Sequence, residues 1–228
     1  MPGKKVTALI LALGLLLLAA APAAAAKRIK LTDYMFPMGD GSSATFQYIK
    51  HPAGQLNFPG APNFTVNVTK GNYYSIPNIY QMGDYYFPDY YTGTKTLYLN
   101  ADKKNLYLYG DENGPLTSPL IIPSSQPLDT VVEHPSGDPA HPWYFKIIGT
   151  LTVPAGTFKN VVVKLDLDNS FGGPNAGNYL YGISVADAGV THATYYAKGV
   201  GEIMNIDFDQ KGDILFLYVL ESYVVHKR

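Results

Sequence analysis

The chain has 228 residues, with 17 Lys+Arg against 18 Asp+Glu, 5 His and no Cys. Without cysteine there is no disulfide framework, no Cys-ligated zinc, no iron–sulfur cluster and no lipid anchor on an N-terminal cysteine. Hydrophobic residues at 46% and charged residues at 15% exclude a disordered chain, and a net charge of −1 provides no electrostatic footprint for nucleic acid.

Lys4 and Lys5 open the chain as a short basic region. An apolar run from Val6 to Leu18 follows, then Pro22 and the small residues Ala24-Ala25-Ala26. This three-part pattern is that of a secretory signal peptide over residues 1–26, cut after Ala26. Cleavage leaves residues 27–228, with 15 basic against 18 acidic residues. No later apolar run approaches 18 residues, so no transmembrane span is expected after cleavage. Export without disulfides points to the periplasm or the exterior of a bacterium.

Alternation of apolar and polar residues then dominates. Thr45 to Lys50 alternates, and Phe64, Val66 and Val68 share a face opposite Thr65, Asn67 and Thr69. Tyr73, Tyr74, Tyr80, Tyr85, Tyr86, Phe87, Tyr90 and Tyr91 crowd the next stretch. Neighbouring residues on a strand point to opposite sides, so not every ring of such pairs can be buried. Tyr73, Tyr74, Tyr85, Tyr86, Tyr90 and Tyr91 are therefore candidate ligand-binding residues, suited to stacking on sugars or packing in a protein interface. The competing reading packs them in a sheet core with hydroxyls reaching solvent. Thr96–Asn100 and Asn105–Tyr109, joined by residues 101–104, predict a hairpin.

Residues 111–142 hold seven prolines, from Pro115 to Pro142. Proline cannot donate to a ladder, so this stretch is expected as an extended crossover within one domain, over the surface or along a sheet edge. Beyond it, Trp143–Val153 meets Pro154-Ala155-Gly156, the chemistry of a tight three-residue hairpin, and Thr157–Val163 leads away. Gly199 and Gly201 are expected on one face of a continuing strand, where missing side chains admit a close neighbour or a kink. Pro154, Gly156, Gly199 and Gly201 are thus assigned structural roles. Asp209–Gly212 turns the chain into the last strand, 213–225. The expected fold is all-β, a single antiparallel sandwich or open, curved barrel over residues 27–228 with minor helix.

Three segments carry a resemblance: Tyr34-Met35-Phe36-Pro37-Met38-Gly39, Leu151–Phe158, and Tyr196-Ala197-Lys198-Gly199-Val200-Gly201. Together they resemble the exported bacterial β-domains called TapB-like, related to the domain of unknown function numbered 3108. The resemblance implies an envelope protein of sandwich or open-barrel form, reminiscent of lipoprotein carriers, with no established catalytic residues to transfer.

Catalytic and metal-binding patterns are weak. His134 and His141, with Glu133 and Asp138, lie in a proline-broken segment with no helix or strand to fix their spacing. Asp166-Leu167-Asp168 and Asp207-Phe208-Asp209 begin like calcium loops, but position twelve holds Gly177 and Tyr218 rather than Glu. No Gly-x-Ser-x-Gly elbow occurs, and Gly172–Gly177 lacks the lysine of a phosphate loop. No metal and no cofactor are therefore expected. The expected function is non-enzymatic, binding or structural, with an apolar or lipid-like ligand or an envelope protein as partner. The alternative is a polysaccharide-binding protein, or an enzyme acting on cell-wall polysaccharide, that uses the tyrosine-rich region.

Overall fold

The computed structural model describes residues 27–49, 63–86, 94–111, 113–168, 189–209 and 213–228. The leader (1–26), Tyr90 and Tyr91, and the glycine-rich 172–177 lie outside them. The described residues form strands joined by turns, with one 3-10 turn at Leu31–Asp33 and no α-helix. The expected all-β class holds.

The first half contributes β1 (Arg28–Lys30), β2 (Ser43–Tyr48), β3 (Phe64–Tyr73), β4 (Ile76–Tyr86), β5 (Thr94–Ala101) and β6 (Asn105–Asp111). The expected 96–109 hairpin is β5–β6. Its turn is fixed by Asp102, whose Oδ1 accepts from the backbone N–H groups of Lys104 and Asn105 at 2.6 and 2.7 Å. The proline-rich stretch supplies β7 (Gly114–Pro123), β8 (Ser125–Pro127) and β9 (Val131–Val132). The second half adds β10 (Trp143–Ile147), β11 (Thr150–Val153), β12 (Gly156–Lys159), β13 (Val162–Asp168), β14 (Gly189–Ala197), β15 (Gly201–Phe208) and β16 (Ile214–Val224).

Twelve strands make one antiparallel sheet, in the order β7-β6-β5-β4-β3-β2-β16-β15-β14-β13-β10-β9. Strands from both sides of the proline-rich stretch meet where β2 pairs β16. Pro115, Pro119 and Pro123 sit where a ladder can spare donors, on β7 at one edge of the sheet, and β9 is the other edge. Only residues 124–130 separate these two edge strands. Fully extended, that link reaches under about 30 Å, whereas twelve strands laid flat would hold their edges about 50 Å apart. The sheet must therefore curl until its edges approach. It does not close into a barrel, because β7 and β9 do not pair. Instead β8, on the link itself, pairs with β1.

The segment after β1 packs into this curl. Leu31 and Phe36 are fully buried, and Tyr34 and Met38 nearly so. Met38 forms a bridge with Lys227. Gly39 is needed beside it, since a Cβ there would stand 2.6 Å from the Lys227 carbonyl oxygen. The 34–39 segment, singled out by its sequence, is thus a structural plug.

The 143–163 hairpin differs from expectation. It bends near Gly149 and Asn160 into two ladders, β10 with β13 and β11 with β12. The loop at its tip is two residues long, Pro154-Ala155, because Val153 pairs directly with Gly156. The tip folds onto β16, where Ala155 N–H donates to the Leu220 carbonyl at 3.1 Å.

The glycine pair is also placed differently. Gly199 lies in the turn 198–200 between β14 and β15, and Gly201 begins β15 opposite Ala197. They are not two positions of one strand face. Gly199 has φ +77°, and nothing lies within 4 Å of where its Cβ would be. The turn needs its backbone conformation, not the space left by a missing side chain.

Candidate functional site

The curled sheet surrounds a partly open cavity of about 480 Å³, within the usual range for small-molecule pockets, ~300–1,000 Å³. Its walls differ in kind. Strands β3 to β7 present Val66, Met82, Leu99, Leu106, Leu108 and Ile122. Alternation explains this wall: Leu97 and Leu99 on β5, Leu106 and Leu108 on β6, and Leu120 and Ile122 on β7 are residues two apart on adjoining strands, and all line the cavity.

The facing wall is polar, and sheet register builds it. Lys164, Thr194, Asn205 and Tyr218 are successive cross-strand neighbours on β13, β14, β15 and β16. Asp166, His192 and Asp207 form the next row. Directly opposed residues share a face, so both rows point the same way. A bulge after Tyr195 pairs Tyr196 with Glu202, which brings Glu202 onto this wall. The alternate residues Leu165, Ala193, Tyr195 and Ile203 are fully buried.

Charges on the polar wall are tied together closely. Lys164 Nζ meets Asp166 Oδ1 at 2.9 Å and Oδ2 at 2.8 Å, and lies 4.5 Å from the centroid of the Trp143 ring. Asn205 donates from Nδ2 to Asp207 Oδ1 at 3.2 Å and accepts from the Thr194 hydroxyl at 3.3 Å. His192 Nε2 stands 3.7 Å from Asp207 Oδ1. Glu202 accepts a short hydrogen bond from the Tyr218 hydroxyl. Burial nonetheless dominates its titration and pushes its carboxyl up to about 7. The Tyr218 bond and the Lys164 charge offset part of that push, and Asp207 adds to it. Glu202 is half-buried and lines the cavity. Burial likewise holds the His134 imidazole below its ordinary value, with the Lys164 charge next in effect. Trp143 lines the cavity, and its buried Nε1–H has no acceptor among the described residues.

The tyrosines nominated by sequence stand elsewhere. Tyr73 is buried, stacks on Tyr98 with centroids 3.3 Å apart, and donates from its hydroxyl to the Asp111 carbonyl at 3.1 Å. Tyr74 packs edge-on against Tyr73 and is 64% exposed. Neither lines the cavity. Tyr85 and Tyr86 have their backbone in β4, and their side chains lie outside the described residues. Pro154 and Gly156 are at the hairpin tip, and Gly201 reaches the cavity edge. His134 and His141 do not form a joint site: His134 packs on Trp143, and His141 Nδ1 pairs with Asp138 Oδ2 at 2.7 Å. Among the described residues no three His, Asp or Glu side chains cluster as metal ligands would.

Sequence reasoning missed Lys164, Glu202 and Asn205 as site residues, and met Asp166 only as the start of a calcium-like loop that it set aside. Their alternation with apolar neighbours was visible, but a half-buried strand with a solvent face has the same pattern.

No family model and no curated protein matches the chain. Among solved structures it is similar to a "putative lipoprotein" from Parabacteroides distasonis ATCC 8503, with 13% identity and a TM-score of 0.42. That similarity spans 84% of this chain and 99% of the other. At that score it carries no weight in reading the site.

Proposed function

We propose that this chain is an exported, non-enzymatic protein of a bacterial envelope that holds a lipid-like ligand inside its curled sheet. The observation that carries this reading is the cavity of about 480 Å³ with one wall of Leu, Val, Ile and Met and a polar wall facing it. An apolar wall this extensive favours an alkyl chain, because burying such a chain removes its surface from water. The leader pattern at 1–26 and the resemblance to TapB-like domains agree with the compartment. The tyrosine region gives no comparable support to a polysaccharide ligand, since Tyr73 is engaged with Tyr98 and Asp111.

N-phenyl-1-naphthylamine, an uncharged dye that fluoresces in apolar pockets, tests this. Purified protein should enhance its emission saturably. Leu108→Trp, which adds bulk from the apolar wall into the cavity, should abolish the signal while the protein stays folded by circular dichroism. A wild-type protein that leaves the dye dark, or a folded Leu108→Trp variant that binds it fully, refutes the proposal.

A further inference from the structure

The polar wall restricts which head group the ligand can carry. Among the described residues, Lys164 is the only Lys or Arg lining the cavity, and both oxygens of Asp166 hold its ammonium. An incoming carboxylate or phosphate would therefore have to compete with Asp166 for that charge. It would also approach Glu202 and lie near Asp207, at a wall where three carboxyl groups meet one lysine, beside the imidazoles of His134 and His192. Like charges brought together in a poorly solvated space oppose binding strongly.

A cation meets a more favourable situation, because Asp166 already pairs with the Lys164 ammonium. The Glu202 carboxyl faces the cavity, and its hydrogen-bond partner among the described residues is a donor, the Tyr218 hydroxyl. That leaves acceptor capacity for another N–H group. A charge-assisted bond from an ammonium is about twice as strong as a neutral one, and the half-burial of Glu202 keeps water from screening it fully.

Resting on the lipid-binding reading above, we propose that the cavity takes a single-chain amphiphile with a cationic amine head, the alkyl chain along the leucine wall and the ammonium on Glu202. Single-chain aliphatic amines are the ligand class that matches both walls. The cavity volume suits one chain.

Displacement of N-phenyl-1-naphthylamine at pH 8 by dodecylamine, dodecanol and dodecanoate, all below their micelle concentrations, tests this. Dodecylamine should displace the dye at a concentration at least about tenfold lower than dodecanoate, with dodecanol between. In Glu202→Gln the gap between amine and carboxylate should shrink to about threefold or less, while dodecanol is unaffected. Equal displacement by all three, or preference for dodecanoate, overturns the head-group assignment and leaves the apolar cavity standing. An amine preference that survives Glu202→Gln also overturns it. Failure of the dye to bind wild-type protein at all removes the lipid-binding reading together with this one. The wild-type comparison holds even if the variant does not fold.

Discussion

Replacing Glu202 by glutamine keeps the shape of the side chain and an acceptor for the Tyr218 hydroxyl, but removes the ionisation. The carboxyl is pushed from its ordinary 4.5 to about 7, chiefly by burial. The folded protein therefore holds this proton more tightly than the unfolded chain does. The stability linked to it is fully present below pH 4.5, falls as the pH rises, and is lost above about 7. A displacement of that size corresponds to about 3 kcal/mol at most. Water reaching the carboxyl through the cavity would lower the figure. For a chain of this length, about 3 kcal/mol is a shift in melting temperature of about 6–12 °C. Glutamine escapes this loss. Urea denaturation of both proteins at pH 5, 6, 7 and 8 should show the Glu202→Gln variant gaining on the parent from pH 5 to 7 and the gain levelling off towards pH 8. A difference that stays flat with pH, or a parent that gains on the variant as pH rises, would refute the burial argument.

Gly199→Val should lower stability by about 1–2 kcal/mol, because an L-residue resists the left-handed backbone there, although no atom crowds the new side chain. Gly199→Asn should cost clearly less, and thermal melts in which the two fall equally would return the argument to packing. Asp102→Ala should lower the melting temperature by removing the carboxylate that accepts from Lys104, Asn105 and the Tyr107 hydroxyl. Those bonds, led by the Asn105 N–H, hold the Asp102 carboxyl below its usual range. Its contribution is therefore present above about pH 4 and fades as pH falls through the lowered value, so the gap between parent and variant should narrow in acid. A gap that widens in acid would contradict this.

Local chemistry determined much of this protein in advance. The alternation at Phe64-Val66-Val68 specified a strand with one buried face, and turn residues at 101–104 specified the β5–β6 hairpin. Proline at 115, 119 and 123 kept β7 to a sheet edge, because a residue without an N–H cannot sit mid-ladder. Each of these depends on neighbours within a few residues. The candidate site depends on something else. Alternation at Lys164-Leu165-Asp166 shows that the two faces of β13 differ, but not which face meets an enclosed space. That was decided by the curl of a twelve-strand sheet, set by the short link from β7 to β9 and by pairing between β2 and β16, residues far apart in the chain. Glu202 shows the difference most directly. In the sequence it only follows two glycines expected on a continuing strand, and the bulge at Tyr195 and the curl of the sheet make it a half-buried acid on the cavity wall.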